Sequence, residues 1–144
     1  MATFKLEVFT PYRLFFSSEV EAITLQLADG EAGIYAGHSF FTAPFKTCIL
    51  RIREISDGWK EAFITNGIIE VKRYKTVLLA DAAEWPWEID KERALSAKND
   101  AESVLINTSF KFEHRTAKEK LIRAQTRLNV INHASPDVLS SGAG

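Results

Sequence analysis

The hydrophobic repeat of this chain changes at Trp85-Pro86-Trp87. Before it, apolar residues recur every second position; after it, they recur at three- and four-residue intervals. A period of two belongs to strands and a period near 3.6 to helices, so the two halves cannot share one kind of element. In the first half, Phe4, Leu6 and Val8 alternate with Lys5 and Glu7, as do Ile23, Leu25 and Leu27 with Thr24 and Gln26. Cys48, Leu50 and Ile52 repeat the pattern, and further strand-like runs cover residues 61–65, 68–72 and 76–80. Asp29-Gly30, Asp57-Gly58 and Asn66-Gly67 supply turn signals between them. No helix-length segment separates the strands, which disfavours parallel crossovers and favours a sandwich or barrel.

After Pro86 the pattern predicts two helices. Asp90 is placed as an N-cap, its carboxylate accepting a free amide of the first turn. Ala94, Ala97 and Ala101 then share one face. Residues 107–112 break the pattern, and Ala117, Leu121, Ala124, Leu128 and Ile131 form a narrow seam on a second helix. Small residues facing a Leu/Ala seam suit a close antiparallel hairpin. The fold class is therefore α+β, an N-terminal antiparallel β-sandwich followed by a C-terminal antiparallel two-helix hairpin. Boundaries are set at residues 1–86 for the sandwich, 87–134 for the hairpin and 135–144 for a small, polar, flexible tail. So thin an apolar stripe buries little area against the cost of ordering, which marks the hairpin as a movable part.

Chemistry-bearing constellations are sparse. A formal net charge of -1 over 144 residues gives no general pull toward nucleic acid or an acidic membrane. No apolar run approaches the length of a membrane span, so membrane association is expected only through a partner. The chain has no Gly-rich loop ending in Gly-Lys-Ser/Thr, and His38, His114 and His133 lack metal-ligand spacing. Cys48, the lone cysteine, sits in a strand pattern and reads as a small core residue. His38 follows Gly37 in an expected turn, the acidic pair Glu19 and Glu21 lies on one strand face, and Trp85/Trp87 are expected to pack at the junction. No catalytic residue, no metal and no resident cofactor is expected.

Four motifs, in order, carry a resemblance. GEAGIYAGH at residues 30–38 resembles the signature turn of the epsilon subunits of F-type ATP synthases. NGIIEV at 66–71 resembles that family's Gly-Gly-hydrophobic-Glu-Val strand entry, TVLLADAA at 76–83 its closing strand, and EIDKERA at 88–94 its Ile/Leu-Asp-x-x-Arg-Ala motif. Two departures are visible: Phe40 stands where the family often has Pro, and Asn66 replaces the first Gly of the pair. The resemblance implies a non-catalytic rotor subunit of the central stalk. Its β domain would bind the gamma subunit and the c-subunit ring, on the cytoplasmic face of a bacterial plasma membrane. Its hairpin could extend into the alpha/beta catalytic head and block ATP hydrolysis.

The resemblance also implies two sets of site residues. Basic residues of the second helix, Lys111, Arg115, Lys118, Lys120, Arg123 and Arg127, match those that meet an acidic segment of the catalytic beta subunit in the family; the alternative is a solvated helix face. Some members bind ATP in the folded hairpin, and the matching positions here are Glu84, Ile89, Asp90, Arg93, Arg123 and Arg127. Arg123 and Arg127 are four apart and share a helix face. A reversal near Ser109 sets Arg93 level with Arg127, and three guanidiniums could hold a triphosphate by charge-assisted forks. The alternative is an Asp90–Arg93 cap with surface ion pairs; Asp100, on the site side of the first helix, counts against binding. Two rival classes are a free-standing ATP-sensing module and a small sandwich enzyme using His38.

Overall fold

The computed structural model describes residues 2–134; Met1 and residues 135–144, where the flexible tail is expected, lie outside the described residues. The chain divides into two compact units, residues 1–84 and 85–144.

The first unit holds nine strands among the described residues: β1 Phe4–Phe9, β2 Leu14–Leu27, β3 Gly30–Tyr35, β4 Phe41–Phe45, β5 Cys48–Glu54, β6 Gly58–Ile64, β7 Gly67–Val71, β8 Lys75–Ala80 and β9 Ala83–Glu84. They pair in the order β1-β8-β7-β4-β2-β5-β6-β9, with β3 also on β2. β2 is long enough to serve both layers of the sandwich. Its first half pairs with β1 and its second half with β3 and β5, and the register shifts between Val20 and Ala22 where one half gives way to the other. Alternate residues point inward: Phe4, Leu6 and Val8 of β1, Leu50 and Ile52 of β5, and Ile69, Val71 and Leu78 of β7 and β8 are all buried. All the pairings are antiparallel except β1 with β8. That parallel pair joins the first strand to one seven strands later, so it closes the fold and needs no local crossover.

The turn signals have different fates. Leu27 pairs with Gly30 and Glu54 with Gly58, so the first two close hairpins, and Gly58 takes the left-handed φ of 72° that favours glycine. Asn66-Gly67 instead connects β6 to β7, which do not pair. There Asn66 N–H donates to Thr47 Oγ1 at 2.9 Å, and Thr65 Oγ1 accepts from Ala82 N–H at 2.9 Å. The GEAGIYAGH segment is mostly strand: six of its residues form β3, and only Ala36-Gly37 turn, with Gly37 at φ 81°. The sequence sets β2 and β3 apart through Asp29-Gly30 but leaves β3 and β4 unmarked, because glycines and a proline mask their alternation.

Thr76 is 1% exposed on β8, and its hydroxyl has no hydrogen-bond partner among the described residues. A buried hydroxyl without a partner costs free energy that a methyl of similar shape does not. Thr76→Val is therefore expected to raise stability by about 1 kcal/mol, read as a rise in Tm of about 5 °C in a thermal melt.

The second unit opens with a short turn at Pro86–Glu88, in which Trp85 N–H donates to Glu88 Oε1 at 2.9 Å and the Trp85 and Trp87 rings stack 5.4 Å apart. Two helices follow, α1 Lys91–Asn107 and α2 Lys111–His133, packed along each other. Asp90 caps α1, its Oδ1 accepting from Arg93 N–H at 3.1 Å. Ala94 and Ala101 of α1 and Ala117, Ala124, Leu128 and Ile131 of α2 are buried, as the alanine face and the seam require, while Ala97 and Leu121 of the same stripes are half-buried. Between the helices, Thr108 Oγ1 donates to Glu113 Oε2 at 2.8 Å and the His114 ring bonds the Thr108 carbonyl. This fastens the reversal around Ser109.

Candidate functional site

The two outer surfaces of the β unit differ in chemistry. On one, β2, β5 and β6 carry paired charges: Arg51 Nε lies 2.8 Å from Glu61 Oε2, and Arg53 Nε 3.4 Å from Glu21. Such cross-strand pairs suit a wet face and contribute little each. Glu21 thereby has a structural partner. The other surface is apolar where it need not be. Leu14 pairs with Phe9, Phe9 with Leu79, Leu79 with Ile68, and Ile68 with Pro44. These five residues form one row across five strands. Leu14, Ile68 and Leu79 are 50%, 46% and 53% exposed. A continuous apolar row facing water is the mark of a surface made to be covered.

His38 is half-buried, its Nδ1 2.9 Å from the Ser39 carbonyl and its ring tilted against Phe41. Cys48 is buried, and desolvation pushes its thiol above the ordinary value while a backbone hydrogen bond at Gln26 opposes that rise. A thiol held neutral by burial is a packing group, not a nucleophile. Glu84 pairs with Phe63 at the end of the β unit. Among the described residues no group of three or more His, Cys, Asp or Glu is placed to hold a metal, and no helix is long and apolar enough to cross a membrane.

In the helical unit a cleft of about 570 Å³ opens between α1 and α2. One wall is the α1 stripe Ala97, Asp100, Ala101 and Val104, at three- and four-residue spacing. The other is α2, with Phe112, Thr116, Ala117, Lys120, Arg123 and Arg127. The volume falls within the range of small-molecule sites. Of the six positions matching the family's nucleotide site, Arg123 and Arg127 line this cleft. Ile89, Asp90 and Arg93 do not, and the Asp90 carboxylate is already engaged in capping α1. Lys120, grouped in the sequence only with a protein-contact set, lines the same cleft, and so does Asp100.

The basic residues of α2 fall on two surfaces. Lys111, Arg115 and Lys118 border a separate hollow of about 290 Å³ with Ser109 and His114, while Lys120, Arg123 and Arg127 face the cleft. Lys118 and Lys120 are two positions apart, about 200° around a helix, so one contiguous basic run becomes two faces. Phe112, Val104 and Thr116 went unread as site residues. The signal was present: Phe112, Thr116, Lys120, Arg123 and Arg127 recur at three- and four-residue spacing, beside the seam and not within it.

Comparison with known proteins gives consistent results. Residues 3–86 match the family model described as ATP synthase, Delta/Epsilon chain, beta-sandwich domain, and residues 88–132 the model of the long alpha-helix domain of the same chains. A protein of Caldicellulosiruptor saccharolyticus named ATP synthase epsilon chain is 45% identical over 131 residues, covering 91% of this chain and 95% of that relative. One of the same name from Caldanaerobacter subterraneus is 44% identical over 130 residues, covering 89% and 93%. Among solved structures, a chain of the Euglena gracilis mitochondrial ATP synthase (OSCP/F1/c-ring) superimposes with a TM-score of 0.79 at 20% identity, covering 92% of this chain and 83% of that one. A chain from the Tetrahymena thermophila mitochondrial ATP synthase central stalk and c-ring gives 0.63 at 12% identity, covering 90% and 97%. At these identities the solved structures establish the fold.

Proposed function

The chain belongs to the family of ATP synthase epsilon chains, and from that membership we propose that it is a non-catalytic rotor subunit of the central stalk. In this reading the β unit couples ion-driven rotation to ATP synthesis, bound to the gamma subunit and seated on the c-subunit ring. The chain is then peripheral to the membrane, on its cytoplasmic face, held there by the complex. The observation that carries the docking role is the exposed apolar row Leu14–Phe9–Leu79–Ile68–Pro44. A monomeric surface has no use for such a row, whereas a permanent interface is built around one.

The helical unit is the regulatory part of this proposal. Extended, it inhibits ATP hydrolysis by the alpha/beta head, and Lys111, Arg115 and Lys118 supply a basic face for an acidic segment of the beta subunit. Folded, its cleft takes ATP as a regulatory ligand, with Arg123 and Arg127 on the phosphates. Ligand that binds the folded hairpin and not the extended one shifts the balance toward the folded form in proportion to that difference. The free-standing sensor reading uses the same cleft but leaves the apolar row without a purpose.

The test is capture of the tagged chain from native membranes, with partners identified by mass spectrometry. Recovery of gamma with the catalytic head is expected; recovery of the chain alone, under conditions that preserve the synthase, would sink the rotor reading. A complex assembled with a chain lacking residues 88–144 is expected to retain coupling and to hydrolyse ATP several-fold faster. An unchanged hydrolysis rate would remove the inhibitory role from the hairpin.

A further inference from the structure

The apolar row of the β unit is not flat. Phe9, Leu79 and Ile68, its middle three members, line a hollow of about 490 Å³ together with Thr10, Asn66 and Asp81. A hollow of that size in the middle of an apolar row takes an anchoring side chain from whatever covers the row. Asp81 is exposed and forms no ion pair among the described residues. Its carboxylate is solvated while the row is bare. A partner that closes over the hollow removes that water, and a carboxylate desolvated without a counter-charge opposes binding. The same partner must therefore bring a cation to Asp81. Lysine and arginine both carry the charge, but the hollow adds two demands. The cation reaches Asp81 along the aliphatic surfaces of Leu79 and Ile68, which suits a long apolar stem. The Thr10 hydroxyl is committed within the turn from β1 to β2, but the Asn66 amide oxygen, met only by Thr47 Oγ1 at 3.5 Å, adds an acceptor to the lining. Two acceptors suit a group with several donors in a fixed fork. Both demands describe arginine.

We propose that this hollow is the specificity pocket of the docking surface and takes an arginine of gamma, its guanidinium on the Asp81 carboxylate and its stem along Leu79 and Ile68. The inference rests on the reading that gamma covers the row, and adds the residue type that gamma presents there. The row supplies apolar area without choosing a partner. Asp81 makes the choice, because an apolar surface without a well-placed cation leaves the carboxylate buried and unpaired.

The experiment measures, by biolayer interferometry, binding of the full chain to an alpha/beta/gamma subcomplex that lacks it. The chains are the parent, Asp81→Asn, Asp81→Lys and a control, Asp57→Asn, each first shown to melt with the parent. Asp57 is exposed in the turn between β5 and β6 and does not line the hollow. Asp81→Asn is expected to weaken binding at least about tenfold and Asp81→Lys at least about a hundredfold, with Asp57→Asn unaltered. Replacing the arginines of gamma by alanine one at a time then finds the partner residue. One replacement is expected to weaken the parent about tenfold and to have no further effect on Asp81→Asn. Parent-like binding by Asp81→Asn overturns the proposal and leaves gamma docking standing, as does a scan in which no arginine couples to Asp81. Binding to an isolated c-subunit ring, or self-association in sedimentation velocity, that Asp81→Asn abolishes while subcomplex binding is unaltered gives the hollow to that occupant and overturns the proposal. Failure of the parent to bind the subcomplex overturns the docking reading itself.

Discussion

A chain carrying Ile68→Asp and Leu79→Asp is expected to fold and melt close to the parent and, with the row as the proposed docking surface, to bind gamma at least about a hundredfold more weakly. The two residues pair directly across β7 and β8, at the middle of the apolar row, and are 46% and 53% exposed. Half-exposed strand positions accept polar side chains at a cost of less than about 1 kcal/mol each. Covering them is different. Each aliphatic side chain contributes on the order of 1.5 kcal/mol or more when removed from water. A carboxylate in its place must be desolvated without a partner, which adds to the loss. The sum exceeds 3 kcal/mol, hence the hundredfold. The measurement is a thermal melt beside a pull-down of gamma. A matched pair on the ion-paired surface, Arg51→Ala with Glu61→Ala, is the control. It removes a contact of 2.8 Å that is itself exposed, so it should leave binding unaltered. If the double aspartate variant binds as the parent does, the row is not the docking surface.

That row was written in the sequence, but in a form that the alternation rule discards. Ile68-Ile69 and Leu78-Leu79 are apolar doublets. One member of each, Ile69 or Leu78, is buried in the sandwich, and the other faces out. Reading strands by their inward residues finds the core and treats the outward member as noise. Only the pairing register shows that outward members from five strands fall in line. The helical half was more open to reading. The Asp90 cap, the alanine face of α1 and the α2 seam are local properties of spacing, and the structure holds all three. The site was only partly legible. Arg123 and Arg127 share a face because they are four apart, which sequence states directly. That they line one cleft with Asp100 depends on how two helices are set against each other, which spacing within either helix does not contain. The parallel pairing of β1 with β8 was hidden for the same reason. It joins residues about seventy positions apart, and no turn signal lies between neighbours so distant.

Gly67→Ala is expected to destabilise the β unit strongly. Its effect comes from space and not from φ, since Gly67 has no left-handed backbone. A Cβ built there would sit 1.9 Å from the carbonyl oxygen of Leu79 and 2.8 Å from Phe45 Cζ. The first is backbone of the paired strand β8, and the second is a buried ring, so neither neighbour can swing aside. Relief requires separating β7 from β8 and β4 at the point where Gly67 pairs with both Ala80 and Phe45. Overpacking a close-packed interior costs about 1–3 kcal/mol and more where backbone must move. A loss of about 3 kcal/mol lowers Tm by about 15 °C in a domain of this size. Gly33→Ala is the internal standard. Its added Cβ meets only the Tyr35 side chain, at 3.2 Å, and Tyr35 is exposed and free to turn. Gly33 should therefore tolerate alanine within about 0.5 kcal/mol, the range of ordinary surface substitutions. Equal melting of the two variants would mean that β7 and β8 lie farther apart than the Gly67 contact requires. A selective collapse of the Gly67 variant would explain, from this structure, why the Asn66-Gly67 element keeps its second glycine while its first position accepts asparagine. Asn66 is exposed, with its N–H held by Thr47, and has room for a side chain where Gly67 has none.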